Sequence, residues 1–174
     1  MRTLILVSHP DIERSVVTRH LLQAARQAPD TTVRHLEALY GHDEHRIDVA
    51  AEQAAYAGVE RVICVFPIHW FNLTPMLKAY LNRVWTWGWS HGPGGQALRG
   101  KTMQLVVSAG ATAHTYSPQG VIHATMDEVL APMKASALYV GMDYAAPLAF
   151  YGCVDVAAAQ LDAIAHDFRA LLAD

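Results

Sequence analysis

The sequence predicts an α/β fold, a three-layer sandwich in which helices cover both faces of one five-stranded parallel sheet. Short β-rich runs alternate with longer helical patterns five times along the 174 residues, and such alternation is typical of βα units. The first, third and fourth β-rich runs are apolar nearly throughout, as expected of strands covered on both faces. Right-handed crossovers then favour the strand order 2-1-3-4-5.

Each predicted strand is followed by a predicted helix. In the last helix Leu161, Ile164 and Phe168 recur at three- and four-residue steps, and Asp155 is placed to cap the helix. Pro132 lies within the fourth helical pattern, which predicts a kink or a break there. The predicted strands are residues 3–8, 32–36, 61–66, 102–108 and 144–150, and the predicted helices are residues 15–28, 48–58, 75–86, 125–138 and 155–173.

Composition and charge restrict the class of protein. The chain carries 13 basic and 16 acidic residues without any run of basic ones, so no nucleic acid is expected as a partner. Its longest apolar run, residues 62–68, is too short for a membrane span of about 20 residues. We therefore expect one soluble, cytoplasmic domain over residues 1–174, which buries about 70% of the surface of the unfolded chain.

Neither a disulfide framework nor a metal site is predicted. Cys64 and Cys153 lie far apart in the sequence, and both are expected to be buried thiols. The segment from His42 to His45 contains side chains that can bind metals. In a polar loop after the second strand, these side chains are expected to be solvated, and no metal is assigned.

The expected ligand crevice lies at the carboxyl ends of strands one and three, where the strand order reverses. In the loop after strand one, Ser15 is placed to cap a helix whose free amides would face an anion. This loop contains neither Gly-x-Gly-x-x-Gly nor Gly-Lys-Ser/Thr, so neither a dinucleotide-binding turn nor a nucleoside-triphosphate loop is supported. An ordinary capped helix is the alternative interpretation.

Two further loops reach the same edge of the predicted sheet. Residues 67–71 place flat aromatic side chains after strand three, either as a ligand wall or as a packed corner of the core. After strand four, Gly110 permits close backbone approach to a flat ligand, although a glycine at a strand end is common.

Taken together, these loops resemble those of the flavodoxin-like NAD(P)H quinone oxidoreductases, a family that includes the small bacterial ancillary flavoproteins of potassium-efflux systems. The strongest motif is the segment 66–84, which looks like the flavin loop and helix of that family. The resemblance covers nearly the whole chain and implies a flavodoxin-like fold. Its supporting motifs are Ser8-His9-Pro10 with Ser15, residues 47–53, residues 116–120 and Gly141-Met142.

The resemblance implies a non-covalently bound flavin. FMN is implied rather than FAD, the alternative, because the FAD-using relatives carry a C-terminal extension that this sequence does not show. Backbone amides in the second and third loops, those of Trp70, Phe71, Ala109 and Gly110, would stabilise negative charge at the polar edge of the ring. The implied phosphate ligands are His9, Ser15, Val16, Val17 and Thr18, and the implied ring contacts are Pro67, Ile68, His69, Trp70, Phe71, Ser108, Ala109, Gly110, Ala111 and Tyr116.

The implied activity is a two-electron, ping-pong reaction. NAD(P)H, the cosubstrate, would pass a hydride to the flavin and leave, and a quinone would take its place in the same pocket. Tyr116 and His123 are implied as the catalytic proton donors. The family also implies a homodimer with each active site at the interface.

The chain departs from the family pattern at three places. Ala111 stands where the family's Thr-Thr-Gly-Gly has its second glycine. Tyr116 and His123 are separated by one more residue than in the mammalian quinone reductases. In the loop 88–95, His91 replaces the tyrosine of the bacterial Gly-Trp-Ala-Tyr-Gly. The replacement is expected either to change the choice of quinone or to provide another proton donor.

Two other functions remain open. The chain resembles a regulatory subunit that binds a glutathione-gated potassium-efflux antiporter at the inner membrane and retains reductase activity. A one-electron flavodoxin-type carrier is disfavoured because the Thr-x-Thr-Gly-x-Thr phosphate loop is missing and the charge of -3 is too small for strong steering. The alternating Trp85, Trp87 and Trp89 predict either internal packing or an exposed patch for a partner.

Overall fold

A parallel sheet forms the centre of the computed structural model, which describes residues 1–173. Its strands lie in the order β2-β1-β3-β4-β5, and β6 also pairs with β4. The predicted order 2-1-3-4-5 is therefore confirmed. The strands are β1 (Thr3–Val7), β2 (Thr31–His35), β3 (Arg61–Pro67), β4 (Thr102–Ser108), β5 (Asp143–Tyr144) and β6 (Leu148–Phe150).

The edge strand is interrupted, so the prediction of one continuous strand over 144–150 is wrong. Met103 of β4 pairs with Tyr144, whereas Val106 pairs with Leu148. Two residues of β4 thus lie opposite three residues of the edge, which is a β-bulge. The third of these edge residues is Pro147, which has no N–H to donate to the ladder.

As predicted, helices cover both faces of the sheet, but several of them begin or end at other residues than predicted. Pro132 lies in the first turn of α6. The predicted break falls at Leu130, the residue immediately before α6. The last helix begins three residues after Asp155, because the Gln160 side chain, not Asp155, accepts from the Ala157 amide. The helices within residues 1–173 are α1 (Val17–Gln27), α2 (Leu36–Tyr40), α3 (Val49–Ala55), α4 (Pro75–Val84), α5 (Met126–Val129), α6 (Ala131–Tyr139) and α7 (Ala158–Ala173).

The core is divided by the sheet into two apolar layers. Leu4 and Leu6 of β1 belong to one layer, while Ile5 and Val7 belong to the other. All four side chains are fully buried. This alternation explains why the central strands are apolar throughout, since both faces of the sheet are covered by helices.

A buried carboxylate ties α3 to the rest of the first layer. Glu52 is fully buried and forms an ion pair with Arg34 of β2. It also accepts hydrogen bonds from the hydroxyl groups of Tyr40 and, at 3.1 Å, Tyr80. Burial raises the pKa of the Tyr80 phenol, so this group remains a donor. The charge of Glu52 is therefore matched by three donors, as a buried carboxylate requires.

Candidate functional site

The loops that follow β1, β3, β4 and β6 meet at one edge of the sheet. The His9 and His69 rings lie edge to face, with centroids 6.2 Å apart. The Ile68 amide donates to the Ser108 carbonyl at 2.8 Å, and the Phe71 ring packs against Tyr116. The three loops singled out in the sequence are therefore neighbours, as expected where parallel strands end together.

In the first loop, His9 has a defined tautomer. The Asp11 amide donates to His9 Nδ1 at 3.0 Å, so the neutral imidazole carries its proton on Nε2. Burial, and then the neighbouring His69, lowers the pKa of His9. His9 is thus a neutral donor at physiological pH.

The start of α1 presents backbone groups rather than side chains. Ser15 Oγ accepts from the Thr18 amide at 3.1 Å, so the predicted cap is present. The side chains of Val17 and Thr18 are buried, and only their backbone can face a ligand. The amides of Val16 and Val17 donate to none of the described residues, which leaves two donors at the positive end of the helix.

The second loop is a tight turn with two aromatic residues at its tip. His69 and Asn72 exchange both backbone hydrogen bonds, at 3.1 and 3.0 Å. Between them Trp70 and Phe71 have φ angles of +47° and +60°, a left-handed conformation that costs roughly 1–2 kcal/mol per non-glycine residue. Trp70 is 94% exposed, so packing of its side chain does not offset this strain. Such strain is found at ligand clamps.

The strained turn leaves its two tip amides without acceptors. Neither Trp70 nor Phe71 donates a backbone hydrogen bond to any described residue. Donors held in this way need no reorganisation when a polar ligand edge arrives. The Pro67 side chain is buried at the end of β3, so the turn extends from a rigid base.

The third loop offers fewer donors than the sequence suggested. The Ala109 amide donates to the Phe150 carbonyl at 2.8 Å and belongs to the sheet, contrary to its expected role at a ring edge. Gly110 is exposed and its amide has no acceptor among the described residues. The Ala111 carbonyl accepts from Gly152 at 2.9 Å, which ties this loop to the segment after β6.

Tyr116 lies in an aromatic wall beside these loops. Its ring centroid is 5.9 Å from that of Phe71 and 5.6 Å from that of Tyr151. Burial, and then Tyr151, raises the pKa of Tyr116, so its phenol stays protonated and can donate. Sequence reasoning missed Tyr151, although its position directly after the last strand was a usable signal.

His123 is not joined to Tyr116 by a hydrogen bond. Its ring is exposed, and Nδ1 lies 3.1 Å from the Pro118 carbonyl. A carbonyl only accepts, so Nδ1 carries the proton. The turn before His123 is tight, as a Cβ added to Gly120 would lie only 1.9 Å from the His114 carbonyl oxygen. The structure therefore holds His123 within its own loop.

The three tryptophans after α4 divide between core and surface. Trp85 is buried, and Trp89 packs edge to face against a buried tyrosine, whereas Trp87 is 70% exposed. His91 lies between Trp87 and Tyr139, with centroid distances of 5.7 and 5.6 Å. His91 and Tyr139 line a groove of about 740 Å³ between α4 and α6.

The remaining candidate groups show no site of their own. Within residues 1–173 no three His, Cys, Asp or Glu side chains are grouped to hold a metal ion, and Asp43 instead accepts from the His45 amide at 2.9 Å. Cys64 is buried as predicted, but Cys153 is only partly buried. No helix in the described part of the chain is long and apolar enough to cross a membrane.

A parallel sheet of this order, with aromatic and polar loops at its carboxyl edge, defines a flavodoxin-like protein. The chain belongs to the flavodoxin-like fold family, whose family model matches residues 1–173. The resemblance stated from the sequence motifs is thereby confirmed at the level of the family.

Relatives of known name come from several bacteria. The uncharacterized NAD(P)H oxidoreductase YdeQ of Bacillus subtilis (strain 168) is 38% identical over 151 residues, which cover 87% of this chain and 76% of YdeQ. Among solved structures, general stress protein 14 of Treponema denticola in complex with FMN is 39% identical, with a TM-score of 0.92 over 99% of this chain and 98% of that one.

Two further structures carry other names. An NADPH-quinone reductase from P. pentosaceus is 25% identical, with a TM-score of 0.88 over 99% of this chain and 98% of that one. A thermophilic tryptophan halogenase from Streptomycin violaceusniger is 36% identical, with a TM-score of 0.91 over 95% of each chain. These two names state different reactions, so the names alone do not identify the reaction of this chain.

The strain in the second loop predicts a stabilising substitution. Trp70→Asn should raise the free energy of unfolding by about 1 kcal/mol, because asparagine tolerates a positive φ and the Trp70 side chain is exposed. Urea unfolding followed by circular dichroism measures the change. Val121→Asn is the matched control, since Val121 is also exposed but has no positive φ. An equal change in both variants would contradict the strain.

Proposed function

We propose that residues 1–174 form a single flavin-binding domain that acts as an FMN-dependent NAD(P)H:quinone oxidoreductase. The observation that carries this proposal is the strained turn with the unpaired amides of Trp70 and Phe71. A turn of this kind is suited to the polar edge of a flat, hydrogen-bonding ring. The bound FMN of general stress protein 14 supports FMN over FAD.

The groups at the start of α1 fit the phosphate of FMN. The unpaired amides of Val16 and Val17 and the Nε2–H of His9 are donors without an acceptor among the described residues. Phosphate oxygens are acceptors, and the helix dipole favours their negative charge. Ser15 caps the helix and holds this first turn in place.

The second and third loops fit the ring. The amides of Trp70, Phe71 and Gly110 remain free to donate, and the Phe71 and Tyr116 rings supply a flat apolar wall. Gly110 has no side chain, so its backbone amide can approach the ring closely. The further proposed ring contacts lie in or beside these two loops, and they are Pro67, Ile68, His69, Ser108 and Ala111.

FMN bound at this site would accept a hydride from NAD(P)H and deliver it to a quinone in a ping-pong cycle. The names of two relatives, an NAD(P)H oxidoreductase and an NADPH-quinone reductase, support these two substrates. Tyr116 would donate a proton to a quinone oxygen, because its raised pKa keeps the phenol protonated. His123, whose exposed ring is hydrogen-bonded within its own loop, would be the second proton donor.

We also propose a homodimer that covers the groove between α4 and α6. Two adjoining grooves, which share Leu81, lead from Phe71 of the strained turn to Tyr139, and Tyr139 is 74% exposed. Exposed aromatic side chains along a groove are typical of subunit interfaces. The family resemblance supplies the partner, a second copy. A cytoplasmic location and binding to a potassium-efflux antiporter stay predictions.

The proposed activity is tested on the purified protein. It should bind FMN with a yellow visible spectrum and oxidise NADPH or NADH much faster with benzoquinone than without it. FMN titration followed by absorbance measures binding, and a continuous spectrophotometric assay of NAD(P)H oxidation measures turnover. A protein that binds no flavin contradicts the proposal, and quinone-independent oxidation would remove the quinone from it.

Tyr116→Phe should reduce quinone turnover by about tenfold or more, because the variant keeps the ring but loses the proton donor. Its Kd for FMN should change by less than about threefold, since the Phe71 contact is kept. Steady-state kinetics and FMN titration separate the two effects. Tyr139→Phe, which removes an exposed phenol outside the ring wall, is the control and should leave turnover unchanged.

Trp87→Glu and Tyr139→Glu should convert the dimer to a monomer, because each places a charge in an apolar interface. Sedimentation velocity would show a change from twice the chain mass of 19.1 kDa to one chain. Leu39→Glu, an exposed position on α2, is the control and should remain dimeric. A monomeric wild-type protein would refute the interface.

A further inference from the structure

A buried serine joins two of the loops at the carboxyl edge of the sheet to the start of α2. Ser8 directly follows β1 and is fully buried. Its hydroxyl donates to Glu37 Oε1 at 2.6 Å and lies 2.5 Å from the hydroxyl of Thr74. Ser8 has one hydrogen, which it gives to the carboxylate, so Thr74 must be the donor to Ser8. The result is a directed chain from Thr74 through Ser8 to Glu37.

The hydrogen bonds from Thr74 to Ser8 and on to Glu37 replace an ordinary helix cap. Thr74 precedes α4 and is fully buried, yet its side chain does not bond to an amide of that helix. A threonine in this position normally caps, which is worth about 1 kcal/mol. Thr74 therefore serves the contact with Ser8, and the loop before α4 is bound to the loop after β1.

The acceptor at the end of the chain is a buried carboxylate. The Glu37 side chain is 8% exposed, and its Oε2 has no hydrogen-bond partner among the described residues. The nearest basic group is His35 Nε2, at 3.8 Å and equally buried, and burial lowers the pKa of His35. A buried carboxylate with only one of its oxygens bonded is unfavourable for folding. The hydrogen bond from Ser8 to the Glu37 carboxylate is charge-assisted and therefore strong, and it partly offsets this unfavourable free energy.

We propose that Glu37 is a positioning residue for the flavin phosphate, acting through Ser8 to hold His9 in its binding geometry. The inference rests on the proposed flavin site. Ser8 is the immediate neighbour of His9, whose Nε2–H is one of the donors offered to the phosphate. Because Ser8 is anchored to both Glu37 and Thr74, the phosphate loop and the loop of the strained turn keep a fixed relative position.

The test compares FMN with riboflavin, which lacks the phosphate. Glu37→Ala should raise the Kd for FMN about tenfold while the Kd for riboflavin changes less than about twofold. Glu37→Gln keeps an acceptor for Ser8 and should bind FMN within about threefold of wild type. Flavin fluorescence titration measures each Kd. Glu44→Ala removes an exposed carboxylate and is the control with wild-type values for both ligands.

Ser8→Ala tests the same chain without removing the carboxylate, and it carries the test if Glu37→Ala does not fold. It should weaken FMN binding about as much as Glu37→Ala, and the double variant should bind no more weakly than either single one. Equal losses for FMN and riboflavin, or additive losses, overturn the positioning role while leaving the flavin site intact. A wild-type protein that binds neither flavin overturns the proposed function and this inference together.

Discussion

The burial of the central strands on both faces is the constraint on which the rest of the molecule depends. Ile5 of β1 and Ile63 of β3 pack in one apolar layer, while Leu6 and Cys64 pack in the other. Strands covered in this way are connected through helices, so they run parallel and all their carboxyl ends lie at one edge. The loops with unpaired donors meet at that edge because each of them follows the carboxyl end of one of these parallel strands.

At that edge the protein combines strain with unused polar groups. The turn at Trp70 and Phe71 holds two non-glycine residues at positive φ, and the hydrogen bonds between His69 and Asn72 prevent it from relaxing. Beneath it, the Ser8 hydroxyl connects the neighbouring loops. Rigid donors around an aromatic wall are what a flat, anionic cofactor would need, since little would have to be reorganised on binding.

Much of the fold could be read from local pattern. The alternation of strands and helices and the apolar central strands predict the order 2-1-3-4-5 found in the sheet. Pro132 correctly marked the break between α5 and α6. The bulge that contains Pro147 was missed because it depends on how the edge strand pairs with β4. The helix α2 was missed because five residues are too few to show a helical period.

By itself the sequence determined which loops come together and which family they resemble, because strand direction and loop chemistry follow from local residue types. The tertiary structure decided which groups in those loops are free. It commits the Ala109 amide to Phe150, turns His123 toward Pro118, and adds Tyr151 and Glu37 to the surroundings of the site. Hydrogen-bond partners such as Ser8 and Glu37 lie 29 residues apart, and only packing brings them into contact.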